Sequence, residues 1–294
     1  MPTGGQSGGL WCAPVAVFLA LCAAVAYGAG DFAGGIAARR ISVLAVVIGS
    51  QAIGLVIFVA LVPVMGAPST GGLAWGAAAG AFGGIGVTLL YRGLAVGRMS
   101  VVAPITGVGA ALLPVTWDLA RGARPGLVAI PGAMLALVAI VLVSAVDDAG
   151  TEQGVRWSKQ PGVGLAIGAG VAFGAWFITL AGAPGDSGLW PVLGTRIASL
   201  TLLGIVASIR RTPLMQVRSA PLLVGAAGIL DILANGLYLL ATRRGLLAIV
   251  AVVTALYPAA TVLLARLVLK EQFGVRQRAG MLAAAAGVAL LSLA

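Results

Sequence analysis

The chain has 294 residues, of which 60% are hydrophobic and only 9% charged, with a mean hydropathy of +1.09, whereas a soluble domain carries about 25% charged residues. Its 18 basic and 8 acidic residues give a net charge of +10 and fall mostly in short clusters between long apolar runs. These figures exclude a soluble enzyme, a secreted domain and a disordered chain, and the lack of a continuous basic patch excludes nucleic acid as a partner, so the lipid bilayer is the expected environment.

A membrane span needs about 20 largely apolar residues to cross about 30 Å of hydrocarbon. Ten segments qualify: Ala13 to Ala38, Ser42 to Met65, Gly71 to Gly97, Met99 to Ala120, Gly126 to Val146, Pro161 to Ala183, Gly188 to Ile209, Ala220 to Ala241, Gly245 to Val268 and Val275 to Ala294. The links carry turn residues and charges, and the longest polar stretch, Asp147 to Gln160, divides the chain near its middle.

Ionisable groups within spans are costly and are therefore site candidates by default. In the first span Asp31, flanked by Gly28 and Gly30, is placed to hold a cationic group or a proton, or alternatively to face the headgroups near Arg39 and Arg40. Gln51 in the second span and Arg196 in the seventh lie at matching depth, and Arg196 suits either bidentate carboxylate binding or a structural pairing with Asp31 or Asp231. Asp231, Asn235 and Tyr238 share one face of the eighth span, which must turn away from lipid. Tyr257-Pro258 in the ninth span, like Pro104 and Pro114 in the fourth, supplies a kink or a hinge that frees carbonyls. Tyr91 and Trp176 are candidates for stacking on an aromatic or cationic ligand, packing being the alternative. Arg92 is expected to snorkel to the surface that carries Arg98.

Other chemistry is missing. The chain has no His, the two cysteines, Cys12 and Cys22, are ten residues apart on one expected helix, and neither Lys159 nor Lys270 ends a Walker A loop. Asp118 and the Asp147-Asp148 pair are expected at the membrane interface, without a metal-diphosphate site. No cofactor and no metal are expected, and any pumping must draw on a gradient or on a partner subunit.

Basic residues are retained on the cytoplasmic side. One set of alternate links holds eleven (Arg39, Arg40, Arg98, Arg156, Lys159, Arg210, Arg211, Arg218, Lys270, Arg276, Arg278) and the other four (Arg121, Arg124, Arg243, Arg244), which predicts a cytoplasmic-membrane protein with both termini outside.

The chain also repeats itself. Ala24-Val25-Ala26-Tyr27-Gly28-Ala29 recurs as Gly170-Val171-Ala172-Phe173-Gly174-Ala175 at an offset of 146, and Ile48-Gly49-Ser50-Gln51 as Leu193-Gly194-Thr195-Arg196 at 145. Tyr91 matches Tyr238 at 147, and Gly132 with Ser144 matches Gly280 with Ser292 at 148. The expected fold class is thus all-α integral membrane, ten transmembrane helices as two inverted five-helix repeats, 1–148 and 161–294, joined by a polar loop at 149–160. Gly76, Gly80 and Gly84, spaced by four, mark close helix packing.

Against that frame the run Tyr91-Arg92-Gly93-Leu94-Ala95-Val96-Gly97-Arg98-Met99-Ser100-Val101-Val102-Ala103-Pro104-Ile105 is similar to the third-to-fourth helix junction of EamA-type transporters of the drug/metabolite transporter superfamily. Tyr27 to Phe32 resembles the family's first-helix signature, and Ala255-Leu256-Tyr257-Pro258 with Leu269-Lys270-Glu271 resembles its ninth and tenth helices. The family's Gly-Glu is Lys270-Glu271 here, and the first-half place around Ala123 carries no acid, so any role of that acid falls to Glu271 alone. The resemblance implies export or uptake of a small metabolite such as an amino acid, an amine or a drug-like compound by a non-enzymatic secondary transporter. Export is the expected direction, and the expectation of proton coupling rests on Asp31 and Asp231 as the acids placed within the hydrocarbon. The competing classes are a membrane enzyme acting on a lipid-linked substrate and a non-transporting membrane subunit.

Overall fold

The computed structural model describes residues 9–62, 66–97, 99–123, 126–144, 162–269 and 275–293. Arg98, Arg124, Asp147, Asp148, Arg156, Lys159, Lys270 and Glu271 lie outside them, as does the 149–160 loop.

Eleven α-helices form among the described residues: α1 Gly9–Ala38, α2 Val43–Leu61, α3 Thr70–Val96, α4 Met99–Ala120, α5 Ala129–Ser144, α6 Val163–Ala181, α7 Trp190–Ile209, α8 Pro221–Thr242, α9 Leu247–Thr254, α10 Tyr257–Leu269 and α11 Val275–Ser292. Seven of them are long and apolar enough to cross a membrane, and shorter apolar stretches run over Ala129–Leu142, Leu247–Thr261 and Arg278–Leu291. The protein is therefore an all-helical membrane protein: in hydrocarbon every backbone polar group must be satisfied within its own segment, which helices achieve.

The ninth expected span is two helices. Pro258 has no N–H to bond the carbonyl of Thr254, so α9 stops at Thr254, and Pro258 occupies the first turn of α10, where its missing donor costs nothing. Pro104 and Pro114 differ. The helix α4 runs unbroken through both, so neither ends a helix as a break would require.

Contacts between the connections define two ends of the bundle. At the first end, a Cβ added to Gly72 at the start of α3 would lie 2.7 Å from Ser187, Arg243 Nη2 donates to Gly188 O at 2.6 Å, and Asp118 Oδ2 accepts from Ala248 N at 2.8 Å. At the second, Ser42 N donates to Gln216 Oε1 at 2.8 Å, and Gly162, held at φ +91 as the N-cap of α6, abuts the Gly93 carbonyl at the close of α3. Asp118, expected at the interface, thus caps a neighbouring helix. It supplies an acceptor and a negative charge to the exposed N–H groups of α9. Asp118→Ala is expected to cost about 1 kcal/mol of stability, as removal of an N-cap does, read as a lowered melting temperature of the purified protein.

The main helix pairs are α1 with α8, α3 with α7 and α6, α4 with α6, and α5 with α11; α1 also meets α9 and α10, and α2 meets α7 and α8. The α3–α7 seam is built on glycine. Cβ atoms at Gly76 and Gly80 would overlap the carbonyls of Pro191 and Thr195, and one at Gly84 would lie 2.6 Å from Ser199 Oγ. Without a hydrophobic effect to drive helices together in lipid, such backbone proximity supplies the dispersion contact that holds them. Two apolar cores result. One, toward the first end, gathers Ala20, Phe58, Trp176, Phe177, Tyr238 and the fully buried run of α9; the other, toward the second end, gathers Val46, Val47, Leu90, Tyr91, Leu94 and Val102.

Candidate functional site

Between the two cores lies a cavity of about 590 Å³, its opening included, walled by α1, α2, α3, α6, α7, α8 and the first residue of α10. On α1, Tyr27 and Asp31 face it from positions one turn apart. The glycines between them explain the placement. A Cβ at Gly28 would overlap the Tyr257 carbonyl, and one at Gly30 would sit 3.5 Å from Ala227 O, so α10 and α8 close on either side of α1. Thr261 Oγ1 secures the first approach by donating to Gly28 O at 3.0 Å.

Arg196 is the centre of the polar groups. It is 3% exposed, Nη1 donates to Gln51 Oε1 of α2, and Nη2 pairs with Asp231 Oδ2 of α8 at 2.5 Å. From α1, Tyr27 Oη donates to Asn235 Oδ1 at 3.1 Å, while Asn235 Nδ2 donates to Asp231 O at 2.5 Å. Four helices are thereby tied by side chains across the cavity. A guanidinium at this depth is tolerable because it is both ion-paired and hydrogen-bonded.

Apart from Arg196 Nη2, which is ion-paired with Asp231, three buried polar atoms of cavity-lining residues are left without a hydrogen-bond partner among the described residues: Arg196 Nε, Ser199 Oγ and Tyr257 Oη. Leaving a buried donor unmade costs about 1 to 3 kcal/mol, so these atoms point to a ligand. Asp31 likewise has no hydrogen-bond or ion-pair partner among the described residues, although it lines the same cavity. The opposite wall is aromatic. Trp176 stands edge-on to Tyr27 with ring centroids 6.3 Å apart, and Phe173 and Phe177 complete the surface.

Of the residues singled out in the sequence, Asp31, Gln51, Trp176, Arg196, Asp231, Asn235 and Tyr257 come together here. Tyr238 and Tyr91 do not. Tyr238 is wholly buried behind the wall, its ring stacked on Phe177 at 4.6 Å and its hydroxyl donated to Phe177 O at 2.9 Å, so it supports Trp176 and Phe177 from the rear. Tyr91 is 3% exposed and belongs to the second core, where its ring fills the notch left by Gly34 of α1. Sequence reading passes over Tyr27, Phe173 and Ser199. Tyr27 and Phe173 are nevertheless equivalent positions of the repeated hexapeptide, and Gly84, opposite Ser199, ends the glycine stripe.

The EamA-like transporter family profile matches residues 160–293, which cover α6 to α11 and hence Phe173, Trp176, Arg196, Asp231, Asn235 and Tyr257. Residues 160–293 are an EamA-like transporter domain. A solved crystal structure is similar in fold over 95% of this chain and 96% of its own, with a TM-score of 0.70 and 17% sequence identity, so the likeness in fold extends well beyond the EamA-like segment. No curated protein matches the chain. The protein is a multi-pass membrane protein, and its EamA-like transporter domain supplies the cation of the cavity's ion pair, Arg196, and the carboxylate that neutralises it, Asp231. Asp31 and Gln51 come from the preceding segment.

Proposed function

We propose that this EamA-type protein is a secondary transporter of a small amphipathic amine, moved outward across the cytoplasmic membrane by alternating access. The observation that carries the reading is the imbalance of the cavity. Arg196 is neutralised by Asp231 and further engaged by Gln51, which leaves Asp31 as the cavity carboxylate without a partner among the described residues, in a cavity also lined by Tyr27, Trp176 and Tyr257. An ammonium group satisfies Asp31 and gains from the rings. A carboxylate or phosphate would have to displace Asp231 from Arg196, so an amino-acid zwitterion is disfavoured relative to an amine.

Alternating access requires two halves that exchange roles, and the helix pairings support an inverted five-helix repeat over 1–148 and 161–294. Exchanging the halves turns the α1–α8 pair into α6–α3, and α4–α6 into the contact of α9 and α10 with α1, while α2–α7 and α5–α11 map onto themselves. Gln51 and Arg196, equivalent in the sequence repeat, are hydrogen-bonded to each other, and each half has a Thr, Thr106 or Thr261, whose hydroxyl reaches a carbonyl of the other half's first helix. The break before Pro258 is a hinge candidate, whereas Pro104 and Pro114 lie in a continuous helix. The excess of arginine at the second end supports a cytoplasmic placement of that end and outside termini.

The test is a thermal-shift and proteoliposome screen with amines, amino acids, nucleosides and sugars. An amine at about 100 times its dissociation constant should stabilise the fold by about 2.7 kcal/mol, and Asp31→Asn should remove that shift and the flux. If protons compete with the amine for Asp31, the affinity of the unsubstituted protein for the amine should weaken as the pH falls. A shift given by sugars or nucleosides alone, or an amine shift indifferent to Asp31→Asn, overturns the reading.

A further inference from the structure

Beyond Gly84 and Ser199, where the glycine stripe ends, α3 and α7 flank an open gap toward the second end of the bundle. The gap between them, closed on a third side by the first turn of α2, is a groove of about 1200 Å³ counting its open side. Its walls are apolar along two turns, with Leu89 on α3 and Leu202 and Val206 on α7, and it is topped by Arg92 and Arg210. Both arginines are exposed, and neither guanidinium has a hydrogen-bond or ion-pair partner among the described residues. No described acid lies at this end, where Arg39, Arg40, Arg211 and Arg218 also stand. The first turn of α2 adds a further electropositive element. Its N-cap Ser42 makes no side-chain capping bond, in contrast to Ser69 of α3, whose hydroxyl accepts from Gly72 N at 3.0 Å.

We infer that this groove binds one anionic phospholipid, its phosphate between Arg92 and Arg210 at the first turn of α2 and an acyl chain along Leu89, Leu202 and Val206. Charge complementarity selects the occupant. Two unpaired guanidinium groups at the level of the headgroups, above an apolar trough open to hydrocarbon, match a lipid that joins a phosphate to a chain. The same two charges oppose an amine, so the groove is unsuited as the route by which the proposed substrate reaches Asp31. A soluble phosphate would satisfy the arginines but leave the trough unfilled, and a zwitterionic lipid would bring its own cation against them. The site is independent of the substrate reading, since it shares no lining residue with the central cavity.

The experiment measures lipid retention. Full-length protein is purified in detergent, exchanged with equimolar phosphatidylglycerol and phosphatidylcholine, and bound lipid is counted by native mass spectrometry. Each arginine near a membrane surface contributes enough that the pair should enrich phosphatidylglycerol by about 10- to 30-fold. Arg92→Gln with Arg210→Gln should bring that ratio down to a few-fold, whereas Arg39→Gln with Arg40→Gln, at the same end but outside the groove, should leave most of it. Leu89→Trp with Val206→Trp fills the trough while keeping both arginines and should also release the lipid; glycerol 3-phosphate and inorganic phosphate, lacking a chain, should not compete. Equal retention of both lipids, retention unchanged in the Arg92 and Arg210 double variant, or displacement by inorganic phosphate would each overturn the assignment.

Discussion

Arg196→Ala is expected to abolish transport and to destabilise the protein by about 2 to 4 kcal/mol, because it strands a carboxylate and an amide that are built around a buried guanidinium. The side chain of Arg196 is 4% exposed and that of Asp231 35% exposed, so cavity water relieves only part of the loss. Gln51 Oε1 loses its donor at the same time. Thermal denaturation in detergent would report the stability, and flux in proteoliposomes the function. Combining Arg196→Ala with Asp231→Ala should return part of the lost stability, with a coupling of about 1 to 3 kcal/mol, because the second substitution removes the orphaned charge. It should not return transport. Arg196→Lys keeps the charge but cannot reach Gln51 and Asp231 together from a planar fork, so it should fold better than the alanine variant and still transport poorly. A double variant no more stable than Arg196→Ala would show that the ion pair does not hold α7 to α8.

The second large effect belongs to residues with no polar chemistry. Gly76→Ala and Gly80→Ala should each lower stability by about 1 to 3 kcal/mol through overpacking, since the new methyl group would meet the backbone carbonyls of Pro191 and Thr195, which have no rotamer in which to withdraw. The same change at Gly204 of α7 or Gly236 of α8, where nothing lies within 4 Å, should leave the melting temperature unchanged or raise it slightly. The contrast separates the packing role of the stripe from any general intolerance of alanine. Gly76→Ala should also impair transport out of proportion to its stability cost, because moving α7 away from α3 carries Arg196 away from Gln51. Equal melting temperatures for the stripe variants and for Gly204→Ala would remove glycine packing as the cause of the α3–α7 seam.

Much of the helical order was legible in the sequence because the bilayer imposes a simple rule: a segment without charges and long enough must be a helix. The apolar runs therefore mark the helices, and the same cost of burying polarity marks Asp31, Gln51, Arg196, Asp231 and Asn235 as residues that turn away from lipid. Those positions do share one cavity. Other features depend on distances that no periodicity encodes. Tyr91 and Tyr238 look alike in sequence, at equivalent positions of the repeat, yet both are excluded from the cavity by the notch at Gly34 and the carbonyl of Phe177. Proline likewise reads as a kink or a hinge wherever it falls within a span. Only the packing around α4 and α9 decides that Pro104 and Pro114 are carried within a helix while Pro258 opens a new one.

The sequence by itself thus determined the environment, the helical segments and the set of polar residues that must face inward, because these follow from transfer free energies summed along a chain. Which of those residues pair was decided by tertiary structure alone. Arg196 had Asp31 and Asp231 as possible partners, and the fold brings the side chains of Arg196 on α7 and Asp231 on α8 together, whereas Asp31 on α1 lines the cavity with Tyr27 and Tyr257 and has no partner among the described residues. The pairing of charges decides whether the cavity attracts an amine or an acid, and it depends on helix separations of a few ångströms, set by where glycines let backbones touch.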